Sequence, residues 1–144
     1  MANVIPDSFK TDLLKGTFNF DSSGGSTFKL ALYTDISGLT TSTTAFTTTN
    51  EVSTSGTSYS SGGNTLTNNG VAVSSNIAFV DFADLTFSSV TLSAVGALIY
   101  KSGGSNEAVF VLDFGGTKTA TNGDFVVQFP TASSSAAIIR LGNA

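Results

Sequence analysis

Beyond Gly16, apolar residues recur at every second position in short runs cut apart by glycine, serine and asparagine. A two-residue repeat sends successive side chains to opposite faces of an extended strand, whereas a helix needs a repeat near 3.6. In Phe28-Lys29-Leu30-Ala31-Leu32-Tyr33, one face collects Phe28, Leu30 and Leu32 and the other Lys29, Ala31 and Tyr33. Farther on, Ala108, Phe110, Leu112 and Phe114 oppose Glu107, Val109, Val111 and Asp113, and Phe125, Val127 and Phe129 oppose Val126 and Gln128. Strand signals of this kind fall at residues 17–20, 28–33, 77–87, 90–100, 107–114, 125–129 and 136–141.

The pattern predicts seven or eight strands. Asp21-Ser22-Ser23-Gly24-Gly25-Ser26 reads as the loop of a first hairpin, and Gly115-Gly116 as the turn of a later one. Short strands at regular spacing predict an all-β fold, a single antiparallel β-sandwich. A jelly-roll-like topology is preferred, with an immunoglobulin-like one as the alternative. A chain of 144 residues has room for one such core.

Residues 5–16 read differently. Pro6 suits a first helical turn, Asp7 complements the positive amino end, Ile5, Phe9 and Leu13 recur every four residues, and Lys15-Gly16 is a stop signal. The expected organisation is therefore a short helix or arm over residues 1–16 and a sandwich over 17–144. The helix either plugs one end of the sandwich or grips a neighbouring subunit. Residues 37–70 are thinly hydrophobic, anchored only by Phe46, Val52, Tyr59 and Leu66, and read as a long connection that is either an interaction loop or a surface excursion.

Composition removes much chemistry. The chain has no cysteine and no histidine, so thiol catalysis, zinc ribbons and histidine-based triads are excluded. Charged residues are only 11% of the chain, and 21 Ser and 21 Thr supply the polar surface. A net charge of −4 gives no long-range attraction to phosphate backbones, so nucleic acid is not an expected partner. No apolar run reaches the ~20 residues of a membrane span, and the start MANVIPDSFK lacks the apolar run of a secretory signal. A weakly charged, hydroxyl-rich exterior offers little resistance to packing against identical neighbours.

Isolated motifs fare poorly against their structural readings. Ser26-Thr27-Phe28-Lys29 matches the S-x-x-K string of penicillin-recognising enzymes but runs into a strand, where a helix is required. Gly115-Gly116-Thr117-Lys118 is too short for a phosphate loop and has no helix after it. Asp81 and Asp84 fall on opposite faces of a strand. Asp21, Asp35 and Asp124 are candidate calcium ligands between loops. Twelve Phe, three Tyr and no Trp read as a core composition, and Tyr33, Tyr59 and Tyr100 are the candidates for an aromatic sugar platform. No catalytic, cofactor-binding or metal-binding residue is assigned, and the chain is not expected to be an enzyme.

Several segments together resemble a family of small virion proteins of tailed bacteriophages. They are Ser8-Phe9-Lys10, Leu13-Leu14-Lys15-Gly16, Phe28-Lys29-Leu30-Ala31-Leu32-Tyr33, Thr49-Asn50-Glu51-Val52, Tyr59 with Gly62-Gly63, residues 78–84, Gly96-Ala97-Leu98-Ile99-Tyr100 and residues 111–116. The likeness covers most of the chain and lies in strand and turn signatures rather than a reactive constellation. It implies a capsid decoration, or cement, protein. Such a protein is jelly-roll-like, sits on the capsid exterior as a homo-trimer, binds the major capsid protein and is assembled in the host cytoplasm.

Residues 2–14 are the first expected docking element and residues 40–69 the second, with Ile5, Phe9, Leu13, Phe46 and Tyr59 as candidate capsid or subunit contacts. The alternative is a tail-fibre or appendage module that binds a host receptor or glycan through loop residues such as Tyr59 and Asn64.

Overall fold

A computed structural model describes residues 2–143; Met1 and Ala144, the outer ends of the two expected segments, lie outside the described residues. The chain forms the expected all-β sandwich of two antiparallel sheets preceded by one short helix, α1 (Asp7–Leu14). The helix closes as its sequence predicts. Gly16, at φ +81°, lets its own N–H reach the Leu13 carbonyl at 3.1 Å and the Thr17 N–H reach Asp12 at 3.0 Å, the paired bonds of a Schellman ending. Phe9 is 2% exposed and packs on Phe18 at 5.0 Å between ring centroids, so the helix plugs the sandwich.

The strands are β1 (Phe28–Tyr33), β2 (Asn64–Thr65), β3 (Asn68–Ser74), β4 (Ile77–Phe82), β5 (Leu85–Lys101), β6 (Ala108–Val127) and β7 (Ile139–Leu141). One sheet has the order β2-β1-β5-β6 and the other β3-β4-β7. Phe28, Leu30 and Leu32 enter the main core as the alternation predicts. The opposite face of β1 is also covered: Ala31 and Tyr33 sit in a second cluster with Ile36, Leu39, Leu98 and Val111. The thinly hydrophobic connection makes this cover. Phe46 N–H bonds to the Asn106 carbonyl, Ala108 N–H to Thr44, and Thr34 N–H to Asn50.

Two sequence expectations are corrected. Residues 17–20 do not pair with β1 as a hairpin. One edge of β1 is taken by β5 and the other by β2, through Lys29↔Thr65 and Leu30↔Asn64. With no edge free, Phe18 and Phe20 contribute side chains rather than a ladder, and Phe20 stacks on Phe28 at 4.6 Å.

Gly115-Gly116 is not a hairpin turn. The true turn between β5 and β6 lies at residues 102–107, and β6 continues through the glycines as a single strand of 20 residues. The ladder passes from Gly96↔Asp113 to Ala94↔Lys118, so residues 114–117 are extruded opposite Val95. Positive φ at Gly115 (73°) and Gly116 (142°) makes that extrusion possible. Turns and bulges demand the same residues, and composition alone does not separate them.

Candidate functional site: an apolar face on the three-stranded sheet

The β3–β4 hairpin turns through Ser75 (φ 52°) and Asn76 (φ 64°), the paired positive angles of a tight two-residue turn. That turn fixes the register. Val73, Ala78 and Leu141 form one cross-strand row, and Val71, Val80 and Ile139 form the next row on the same face. Val80 and Ile139 belong to the core. The same face then runs out past the core: Val71 is 54% exposed, Leu141 57% and Val73 73%. Between this overhang and Leu13, Phe18 and Phe20 lies an open, mostly apolar groove of about 270 Å³. Leu14, which breaks the four-residue spacing of the helix, is 87% exposed.

The expected contact residues are distributed differently. Ile5 is partly buried against the main core, Phe9 is buried, and Leu13 lines the groove. Phe46 stacks on Tyr100 at 4.7 Å within the second cluster. Tyr59 is buried, its oxygen accepting the Leu32 N–H at 3.0 Å while its hydroxyl donates to Glu51 Oε1 at 2.8 Å. Of the five, Leu13 alone meets the open groove.

The expected tyrosine platform is likewise corrected, because Tyr33, Tyr59 and Tyr100 are all core residues. Their hydroxyls hold the connecting segment down: Tyr33 donates to the Thr47 carbonyl at 2.6 Å and Tyr100 to Gly62 at 2.7 Å. Glu51 is the hub of this network. It accepts from Tyr59, from Gly62 N–H at 2.6 Å and from Ser61 Oγ at 2.7 Å. Burial pushes the Tyr33, Tyr59 and Tyr100 hydroxyls above the usual phenol range, and the Glu51 carboxylate adds to the rise.

The acids are dispersed. Asp81 accepts from Asn69 Nδ2 and Asp84 from Phe129 N–H. Asp35 accepts from Ser37 N–H, which lowers its pKa, and Asp124 accepts from Ser89 N–H. No three acidic side chains among the described residues converge where a metal ion could sit. A second concavity of about 390 Å³ lies beside the β6 bulge, lined by Phe114, Phe125, Lys118 and Asp124 among others.

No family model, curated protein or solved structure matches this chain.

The apolar face is missed in the sequence because β3 straddles the end of the segment read as a connection, and residues 71–74 fall between that segment and the strand signal at 77–87. Its signal was present: Val71-Ala72-Val73 has the two-residue repeat and is followed by the turn pair Ser75-Asn76.

Proposed function

We propose that this protein is a structural component of a tailed-phage particle, a decoration protein that binds the outside of the head and bridges capsomers. In this reading its partners are the major capsid protein and further copies of itself, in trimers over local three-fold positions. The observation that carries the reading is the solvent-facing extension of the core-lining sheet face, Val71, Val73 and Leu141, beside an open apolar groove. Isolated exposed apolar residues are ordinary, but a cross-strand row of them flanking a groove is an adhesive surface.

A cement protein works by contact area. Covering about 300 Å² of apolar surface contributes roughly 7 kcal/mol at ~25 cal/mol per Å² before the cost of association is subtracted. Repeated over many copies, that surplus opposes expansion of the shell.

The alternative receptor- or glycan-binding reading drew on Tyr59, whose hydroxyl is committed to Glu51 and Leu32 inside the protein. Asn64, the other residue of that reading, lies in β2 paired with Leu30 of β1 and not in a loop.

Deleting residues 1–14 is a poor test, because it strips Phe9 from Phe18 and Phe20 and damages the core. Exposed substitutions avoid this. Purified protein carrying Leu14→Glu, Val73→Glu and Leu141→Glu, added to heads lacking the protein, is expected to lose occupancy while melting like the parent. Full occupancy by the triple variant rejects this face as the docking surface. Absence of the parent protein from imaged particles rejects the virion reading itself.

A further inference from the structure

A sheet edge presents unpaired backbone N–H and C=O groups, and proteins that stay apart blunt their edges with charge, proline, bulges, shortness or cover. The two sheets end in four edges, β2, β6, β3 and β7. Three are blunted. β2 has two residues, and β7 has three with Arg140 at its centre. β6 is bulged, carries Lys118, and is covered at Val111 by Val4 through backbone bonds of 3.0 and 2.8 Å. The fourth edge, β3, is bulged only at its start, between Asn68 and Gly70; from Val71 to Ser74 it pairs regularly with β4 and carries no charge or proline.

The two-residue turn settles which groups of β3 are free. Ser74 and Ile77 close the hairpin, and hydrogen-bonded pairs alternate from there. Ala72 therefore directs its amide and carbonyl to β4, and Val71 and Val73 direct theirs outward. No backbone bond from Val71 or Val73 to any segment beyond this hairpin occurs among the described residues.

We propose that the occupant of this edge is β3 of a second copy, paired antiparallel about a two-fold axis through Ala72. The strand is its own complement in that register. Val71 meets Val73 of the other copy and Ala72 meets Ala72, so the regularly paired centre of the strand is palindromic. The outward groups of Val71 and Val73 are then satisfied, and the two three-stranded sheets become one of six strands.

The charges carried by the three strands themselves do not oppose the pairing. Arg140 lies in the same cross-strand row as Ala72 and Phe79, which puts the two arginines five strand spacings, about 24 Å, apart. Asp81, in the Gly70 row, lies about 20 Å from its counterpart across the axis. Both distances exceed the ~8 Å Debye length of physiological salt. The pairing also doubles the apolar face, since both copies of Val71 and Val73 project on one side. It concerns two copies in solution and stands without residence in a virion.

Because the chain has no cysteine, single thiols report the register directly. Across the axis the two Ala72 positions form a non-hydrogen-bonded pair with Cα atoms about 4.5 Å apart, inside the disulfide range. The two Ser74 positions lie about 14 Å apart, far outside it. Under mild oxidation Ala72→Cys is expected to give a covalent dimer on a non-reducing gel while Ser74→Cys stays monomeric. Adding Val73→Pro to Ala72→Cys removes an outward N–H without touching the β4 ladder and is expected to abolish the dimer. A monomeric Ala72→Cys, equal cross-linking of Ser74→Cys, or a dimer that survives Val73→Pro in a folded protein overturns the proposal. Should Val73→Pro fail to fold, the contrast between the two single cysteines still decides.

Discussion

The two sheets of this protein are built from the same kind of strand and treated in opposite ways. Around β1 the four-stranded sheet is closed on both faces, with Leu30, Leu32 and Ile99 in the main core and Ala31, Tyr33, Leu98 and Val111 in a second cluster under the connecting segment, while the far halves of β5 and β6 leave one face to solvent. The three-stranded sheet is closed on one face over part of its length, and its apolar rows continue into solvent at Val73 and Leu141. The lesson is a division of labour. Stability resides where both faces are covered, and the surface left for partners lies on the sheet whose core ends before its strands do.

The strongest way to break the closed sheet is Gly63→Ala. Gly63 sits at φ +70°, and a Cβ there overlaps the backbone carbonyl of Leu30 at the centre of β1. That carbonyl cannot move without disturbing a residue fully buried in the core. A loss above about 4 kcal/mol is expected, comparable with a small domain's whole stability, read as a protein that does not fold or melts at a far lower temperature. Leu98→Ala comes next, at roughly 2–5 kcal/mol by urea denaturation, because Leu98 is 0% exposed and the outer cluster has little to collapse with.

Tyr59→Phe tests the polar side of the same closure. It removes the hydroxyl that joins Leu32 N–H to Glu51, leaving a strand amide without its partner, and is expected to cost about 1–3 kcal/mol. The tyrosines also set an alkaline limit. Their pKa values in the fold lie above the ordinary 10.0, so the folded state holds protons that the unfolded state releases. Their contribution is complete below pH 10 and is lost as pH rises past it. A stability profile from pH 8 to 11 should fall above about pH 10, and less steeply in Tyr59→Phe. A flat profile would remove the buried phenols from the account.

How much of this was legible in the sequence follows from the range of each cause. The Schellman ending at Gly16 and the inward set Phe28, Leu30 and Leu32 depend on neighbours within a few residues, and the pattern carried them. The strand boundaries did not follow from pattern, because Gly115-Gly116 satisfies a turn and a bulge equally, and only the partner strand β5 decides between them. Tyr59 is similar: its place in the connection suggested a surface anchor, yet its hydroxyl is claimed by Leu32, 27 residues away. The candidate site was the least legible. An exposed valine and a buried one look alike in a strand, and what exposes Val73 is that nothing from another layer reaches it.

The smallest effect sharpens the comparison most. Val73→Ala deletes apolar atoms, as Leu98→Ala does, but from a side chain that is 73% exposed. Little of what is removed was shielded from water in the isolated chain, so the expected change is within about 0.5 kcal/mol when dilute protein is unfolded by urea. A loss of 2 kcal/mol or more would mean that the face is already covered in solution, and the distinction between the two sheets would fail. If the dilute protein is indifferent to Val73→Ala while concentrated protein is stabilised by Val73 but not by its exposed neighbour Ser74, the side chain acts between molecules. Its cost then appears only with partners present, which is the behaviour expected of a surface kept for assembly.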